Sequence, residues 1–302
     1  MRPTLTRIVL AAALALASAA PRAQIHVADD SGRSVALDRP AARIVSLAPH
    51  ITELLFAAGA GDRIAGTVEF SNYPEAARKI PRIGNSAQLD LERIVELKPD
   101  LIAVWRGGNA QRQLETLLRL GIPVFYTEPH RLADIARAVE QFGRLAGTES
   151  VAVPAARAIA AREAELRARY AGREPVSVFF QIWNRPLMTV NGDHIISDVL
   201  RLCGGRNVFA DLKPLAPLVS TEAVLAADPE AIGAVAGEVG GRGELDAWKT
   251  WPRLKAVARG NLFSIDADLI TLQTPRILEG ARQVCQRLDE VRARREVNRS
   301  SR

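Results

Sequence analysis

The chain has 302 residues, of which 48% are apolar and 25% charged, enough to bury a sizeable core and too apolar for a disordered or fibrous polypeptide. Its formal charge of +6 at pH 7 falls to +3 without the first 23 residues, which carry Arg2, Arg7 and Arg22 and no acid. Much of the remaining excess is local to Arg292, Arg294, Arg295, Arg299 and Arg302, which excludes a nucleic-acid groove and predicts a basic disordered tail over 291–302.

Residues 1–23 read as a secretory signal peptide. Arg2 and Arg7 precede an unbroken run of Ile, Val, Leu, Ala and Ser from Ile8 to Ala20, about 13 residues where a membrane span needs roughly 20. Small residues offer cleavage after Ala20 or Ala23, and no cysteine lies there to carry a lipid. A periplasmic protein, secreted with a cleaved signal peptide, is the expectation. The only cysteines, Cys203 and Cys285, form an even pair in a chain sent to an oxidising compartment, so one disulfide in the C-terminal half is predicted, two buried free thiols being the alternative. Closing a loop of about 80 residues would disfavour the unfolded chain by about 4 kcal/mol in the chain-entropy view.

After the signal, Ile25 to Asp38 alternates around Asp30, Ser31 and Gly32, a hairpin pattern. From Arg43 the rhythm changes to short apolar runs at Ile44–Leu47, Ile64–Val68, Leu101–Trp105 and Val124–Tyr126, separated by helical stretches, as in parallel βα units. A segment rich in Ala, Arg, Glu and Leu follows through Tyr170, with Pro154 near its start and Gly172 beyond its end. It predicts one long helix acting as a strut. A second set of runs follows at Val176–Ile182, Ala231–Val235 and Leu262–Ile265. The organisation is therefore two α/β lobes with central β-sheets, 24–147 and 173–290, joined by one rigid backbone helix over 148–172.

Two internal echoes connect the lobes. Ile51, Thr52, Glu53, Leu54, Leu55 and Gly59 resemble Ile196, Ser197, Asp198, Val199, Leu200 and Gly204 in order and type. Glu92, Ile94, Val95, Pro99 and Ile102 match Glu222, Val224, Leu225, Pro229 and Ile232 at identical offsets. The lobes read as loose duplicates, or simply as two βα units of ordinary similarity.

Aromatic residues make up only 5% of the chain, yet Phe70, Tyr73, Trp105 and Trp183 fall where predicted strands end. In open α/β sheets the carboxyl ends of strands form the ligand crevice, so as a set they predict a broad apolar cleft, against ordinary packing for each alone. Trp105 opens the turn Arg106-Gly107-Gly108-Asn109, whose glycines would let backbone amides approach a ligand while Asn109 caps the next helix. His50 and His194 lie in loops from which either could reach a ligand. Neither has a second ligand at metal spacing, His26 and His130 supply none, and no zinc motif, nucleophile elbow, phosphate-binding loop or dinucleotide fingerprint is present, so no metal site and no catalytic residue is assigned.

Further motifs carry a resemblance: Ile44-Val45-Ser46-Leu47-Ala48-Pro49 with Thr52-Glu53-Leu54, Asn72-Tyr73-Pro74, Leu91-Glu92-Arg93-Ile94-Val95 into Lys98-Pro99-Asp100-Leu101, Trp105-Arg106-Gly107-Gly108-Asn109-Ala110, Cys203-Gly204-Gly205, Asn207-Val208-Phe209 and Thr274-Pro275-Arg276. Together they resemble the periplasmic cobalamin-binding proteins of ABC importers over nearly the whole mature chain. The resemblance implies two lobes on a rigid helix, ligand between them, paired cysteines, no cofactor beyond the transported corrinoid, and membrane permease and ATPase subunits as partners of a monomer. It places Phe70, Trp105 and Asp268 in the ligand site and Trp183 next to it, and the reading of strand ends and loops adds His50, Tyr73 and Arg106. Glu92 and Glu222, one near a helix start on each lobe, are assigned to transporter docking. Ser86 and Ala216 stand where aromatics are expected in that family, and Leu272 where an arginine is. A ferric-siderophore or haem receptor of the same fold, an unrecognised periplasmic hydrolase and a structural protein without ligand are the alternatives.

Overall fold

The computed structural model describes residues 24–85, 87–109, 111–236 and 245–300. The signal segment, Ser86 and Arg302 lie outside them. The predicted hairpin is present as β1 (Ile25–Ala28) and β2 (Ser34–Leu37), antiparallel with Ile25 opposite Leu37. Asp29 ties its turn by accepting from the backbone N–H of Ser31 and Arg33, and Gly32 takes the positive φ of +84° that the reversal requires.

The N-terminal lobe contains β3 (Ile44–Ser46), α1 (Pro49–Ala57), β4 (Ile64–Thr67), α2 (Leu91–Glu96), β5 (Leu101–Trp105), α3 (Gln111–Arg119), β6 (Val124–Thr127) and α4 (Leu132–Ala146). The strands form one parallel sheet in the order β4-β3-β5-β6. Helices cover both faces of such a sheet, which is why Val45 and Leu101 through Val104 are apolar without alternation and fully buried. The C-terminal lobe contains β7 (Val176–Gln181), α6 (Ile195–Leu202), β8 (Gly205–Asn207), α7 (Thr221–Ala227), β9 (Ala231–Ala236), α8 (Lys255–Ala258), β10 (Leu262–Asp266), α9 (Ala267–Ile270) and α10 (Ile277–Ser300), after α5 (Glu149–Tyr170) has joined the lobes. Its order is β10-β9-β7-β8, which is the N-terminal order taken from the opposite edge.

The second internal echo has a structural counterpart. Asp90 and Ser220 each cap their helix by accepting from the backbone N–H three residues on, at 2.9 Å and 3.2 Å. Ile94 and Val224 are both fully buried, and Lys98 and Asp228 both take positive φ before a strand begins at Leu101 or Ala231. A continuous apolar core runs from Ile51, Leu54 and Phe142 through Ala152, Ala156 and Tyr170 of α5 to Phe180, Val199 and Leu288. Each lobe adds a smaller cluster on the far face of its sheet. Gly143 of α4 is the close-approach point, since a Cβ there would overlap the Ala152 side chain of α5.

The connecting helix spans 22 residues with Pro154 inside its second turn, where the ring costs one intrahelical hydrogen bond. One sequence expectation is corrected. The basic segment from residue 291 is not a solvated tail, because α10 continues to Ser300. Arg292 is buried and donates to the carbonyls of Glu174 and Cys203 at 2.8 Å and 2.7 Å. Arg295 grips Glu230 with two hydrogen bonds of 2.8 Å and 2.6 Å, and Arg294 reaches the Gly260 carbonyl. These acceptors come from loops on the amino side of the sheet, which the local sequence of the segment does not reveal. Strand β8 was not anticipated, because its Gly-Arg-Asn sequence has no apolar run to announce it.

The cysteines are paired. Cys203 ends α6 and Cys285 lies on α10, with Cα atoms 4.6 Å apart across a sequence separation of 82.

Candidate ligand-binding cleft

The candidate ligand residues sit on segments that follow the carboxyl ends of strands in both lobes, where ligands bind in open α/β sheets. His50 comes from the start of α1 after β3, Phe70 and Tyr73 from the loop after β4, and Trp105 ends β5. Across the chain, Trp183 follows β7 and Asp268 follows β10.

Several large apolar side chains here stand out in water. Phe70 is 77% exposed, Tyr73 49% and Trp183 41%. Phe70 is also held at φ +66°, a conformation that costs a non-glycine residue on the order of 1 kcal/mol and persists only where the surroundings impose it. The next turn supports it, with the Asn72 N–H donating to the Phe70 carbonyl at 2.9 Å. The Trp183 indole N–H donates to the Arg185 carbonyl at 3.0 Å, which orients the ring.

Trp105 is positioned from three sides. Its ring meets His50 edge-on, with centroids 5.5 Å apart at 89°. Asn109 accepts from the Trp105 backbone N–H and donates to the Leu47 carbonyl, both at 2.8 Å, tying the turn to the adjoining strand end. Gly108 lies under the indole so closely that a Cβ there would overlap the ring atoms. Arg106 is exposed in the same turn.

His50 is 2% exposed and its Nε2 has no hydrogen-bond partner among the described residues. Burial lowers its pKa to about 3, so the imidazole is neutral at physiological pH. His194 has a defined local job: its Nδ1 accepts from the Ile196 N–H at 3.1 Å and caps α6. Burial, and secondarily the nearby His130, lower its pKa to about 4.

Sequence reasoning overlooked Arg276 as a site residue. Its guanidinium makes two hydrogen bonds to Glu53, at 3.0 Å and 2.6 Å, lies 4.1 Å from the Tyr73 ring centroid, and reaches Asp268 at 3.8 Å. Hydrogen bonding to Glu53 is the largest cause holding its pKa above the ordinary value. Tyr73 and Asp268, from opposite lobes, are thus brought to one cation. Gln181 at the end of β7 was also missed. Its Oε1 accepts from the Trp248 indole N–H at 2.9 Å, and since an indole can only donate, the amide orientation is determined. Both are polar residues beside apolar runs, a signal that became informative only when the lobes were placed together.

Of the family departures, Ala216 and Leu272 are half-buried. Glu92 and Glu222 lie exposed in the first turns of α2 and α7. Hydrogen bonds from its own backbone N–H and from Ser220 hold the Glu222 carboxyl below its ordinary pKa. No cluster of His, Cys, Asp and Glu that could hold a metal ion occurs among the described residues. None of their helices is long and apolar enough to cross a membrane.

Comparison with known proteins bears on this arrangement. The profile of a periplasmic binding protein family matches residues 44–269. The chain is 35% identical over 258 residues to the vitamin B12-binding protein of Vibrio parahaemolyticus, covering 85% of this chain and 93% of that one. It is 37% identical over 252 residues to the corresponding protein of Yersinia pestis, covering 83% and 88%. Among solved structures it resembles the periplasmic vitamin B12-binding protein BtuF of Vibrio cholerae, with TM-score 0.78, 36% identity and coverage of 84% and 98%. The periplasmic heme-binding protein RhuT of Roseiflexus, at TM-score 0.70 and 24% identity over 82% of this chain and 98% of that one, shares the fold.

Proposed function

Because the chain belongs to the periplasmic binding protein family, we propose that it captures cobalamin, or a closely related corrinoid, in the periplasm and delivers it to an ABC importer in the inner membrane. It is a binding protein and not an enzyme, and the corrinoid is cargo and not a cofactor. The observation that carries this reading is the exposure of Phe70, Tyr73 and Trp183 at strand ends in a chain that is 5% aromatic. Exposed aromatics gathered at one set of strand ends mark a binding surface, here suited to a large, flat and partly apolar ligand. Likeness to vitamin B12-binding proteins over more than four-fifths of the chain supports the same ligand.

In this reading Phe70, Tyr73, Trp105 and Trp183 supply apolar contact, Arg106 and Asp268 meet polar groups at the rim, and His50 backs Trp105. The half-buried Ala216 and Leu272 leave the contact set different from that implied by the resemblance, so a variant corrinoid is compatible with the site. Glu92 and Glu222 form a matched pair of exposed carboxylates, one per lobe, suited to cationic side chains on two transporter subunits. The protein works as a monomer, exported by its N-terminal 23 residues, with a permease and an ATPase completing the importer.

The test is calorimetric titration of the processed protein with cyanocobalamin, using haem and a ferric siderophore as controls. Stoichiometric binding of cobalamin alone supports the reading. Binding of a control in its place transfers the function to another cargo of the same fold, and enzymatic turnover would replace it with a hydrolase.

A further inference from the structure

The first internal echo pairs Glu53 with Asp198, and these carboxylates do equivalent things in opposite directions. Glu53, on the first helix of the N-terminal lobe, is 5% exposed and takes both its hydrogen bonds from Arg276, the residue immediately before α10 of the C-terminal lobe. Asp198, on the corresponding helix of the C-terminal lobe, is buried. It accepts from the backbone N–H of Leu132, the first residue of α4, at 2.9 Å. Arg131, the residue before α4, reaches the same carboxylate at 3.8 Å and Asp193 at 3.5 Å, while Arg201 of the same helix as Asp198 donates to it at 3.3 Å. Helices α4 and α10 correspond in place, since each is the long helix after the fourth parallel strand of its lobe, α10 with the short α9 between. Leu132 and Ile277, the residues after the two arginines, are both buried.

From this reciprocity we infer that Glu53–Arg276 and Asp198–Arg131 are paired latches between the lobes, and that Arg276 is a positioning residue that holds Tyr73 and Asp268 in the walls of the cleft. The two latches differ in one respect. Among the described residues Arg131 makes no ring contact of this kind, whereas the Arg276 guanidinium lies 4.1 Å from the Tyr73 ring centroid, within cation–π range, while its fork is engaged by Glu53. A planar, permanently charged group with several donors is needed to do both, and lysine cannot. Tyr73 is thereby presented with one face against the guanidinium and about half its surface free. Asp268, largely exposed, is drawn toward the same cation from its own lobe.

The effect on affinity rests on the corrinoid reading, but the positioning itself does not, and the two are separated by measuring both. Arg276→Met and Arg276→Lys are compared with wild type and with Arg131→Met. In the ligand-free proteins, amide hydrogen exchange followed by mass spectrometry is expected to accelerate in the loop 70–76 of both Arg276 variants and to stay at the wild-type rate there in Arg131→Met. With cyanocobalamin, Arg276→Lys is expected to bind about tenfold more weakly than wild type. In a background carrying both Tyr73→Ala and Asp268→Ala the same replacement should change affinity less than twofold, because both groups it positions are gone. Unaltered exchange in loop 70–76 overturns the inference whatever the ligand proves to be. So does a tenfold loss of affinity that persists when both Tyr73 and Asp268 are alanine. If wild type itself does not bind cobalamin, the corrinoid reading falls and the exchange result decides the latch. Should Arg276→Met fail to fold because the Glu53 carboxylate is stranded, Arg276→Lys retains the charge and carries the test.

Discussion

Gly108 illustrates how a single missing side chain sets the geometry of the cleft. The indole of Trp105 occupies the space that a Cβ would take, so Gly108→Ala should push the ring from its edge-on contact with His50. Cobalamin affinity is expected to fall about tenfold, equivalent to about 1.4 kcal/mol, with little change in thermal stability, as measured by titration and calorimetry. Buried His50 and half-buried His194 give a pH dependence of stability. Their folded pKa values of about 3 for His50 and about 4 for His194 lie below the ordinary imidazole value of 6.5, so between these limits the unfolded chain binds more protons than the folded one. Stability is complete above about pH 6.5 and falls as the pH drops toward 4, by up to about 1.4 kcal/mol per pH unit for each histidine. Denaturant melts between pH 7 and pH 4 should show this slope, and His50→Gln should flatten part of it.

At the level of elements, the duplicated βα unit explains why so much could be anticipated locally. An N-cap, one buried apolar residue, a left-handed residue, a proline and a strand recur in Asp90–Leu101 and Ser220–Ala231 because each performs a local steric task. The last helix is different. Its basic residues, in isolation, have the composition of a solvated tail, yet Arg292 and Arg295 are held by Glu174, Glu230 and backbone carbonyls. The disulfide joins the same helix to α6. Replacing both cysteines by serine should lower unfolding free energy by about 4 kcal/mol, as for a loop of this length in the chain-entropy view. Urea melts monitored by circular dichroism would measure it, and cobalamin stoichiometry should be unchanged because neither sulfur lies among the candidate ligand residues.

On the scale of the molecule, the matching topologies put one exposed acid on each lobe at equivalent positions. A receptor that must engage two transporter subunits needs such a pair, and a single carboxylate on a solvated helix would contribute little. Glu92→Ala combined with Glu222→Ala is therefore expected to leave cobalamin affinity within twofold of wild type while abolishing uptake in a transport assay. Retained uptake would remove the docking assignment and leave the ligand assignment standing. The core that runs through α5 and the two carboxylate latches together join the lobes by both apolar and charged contact.

The sequence by itself determined the two α/β lobes, the connecting helix, the hairpin and the aromatic strand ends. Those features are written in local periodicity, in turn residues and in the position of apolar runs, and they require no knowledge of distant partners. Tertiary structure alone decided the rest. Glu53 meets Arg276 across 223 positions and Asp198 meets Leu132 across 66, and neither acid differs locally from a solvated helix residue. Arg292, Arg294 and Arg295 of the last helix changed from tail to scaffold for the same reason. A charged side chain carries no mark of its partner, and whether it is solvated or engaged depends on which carboxylate the folded chain brings within hydrogen-bond reach.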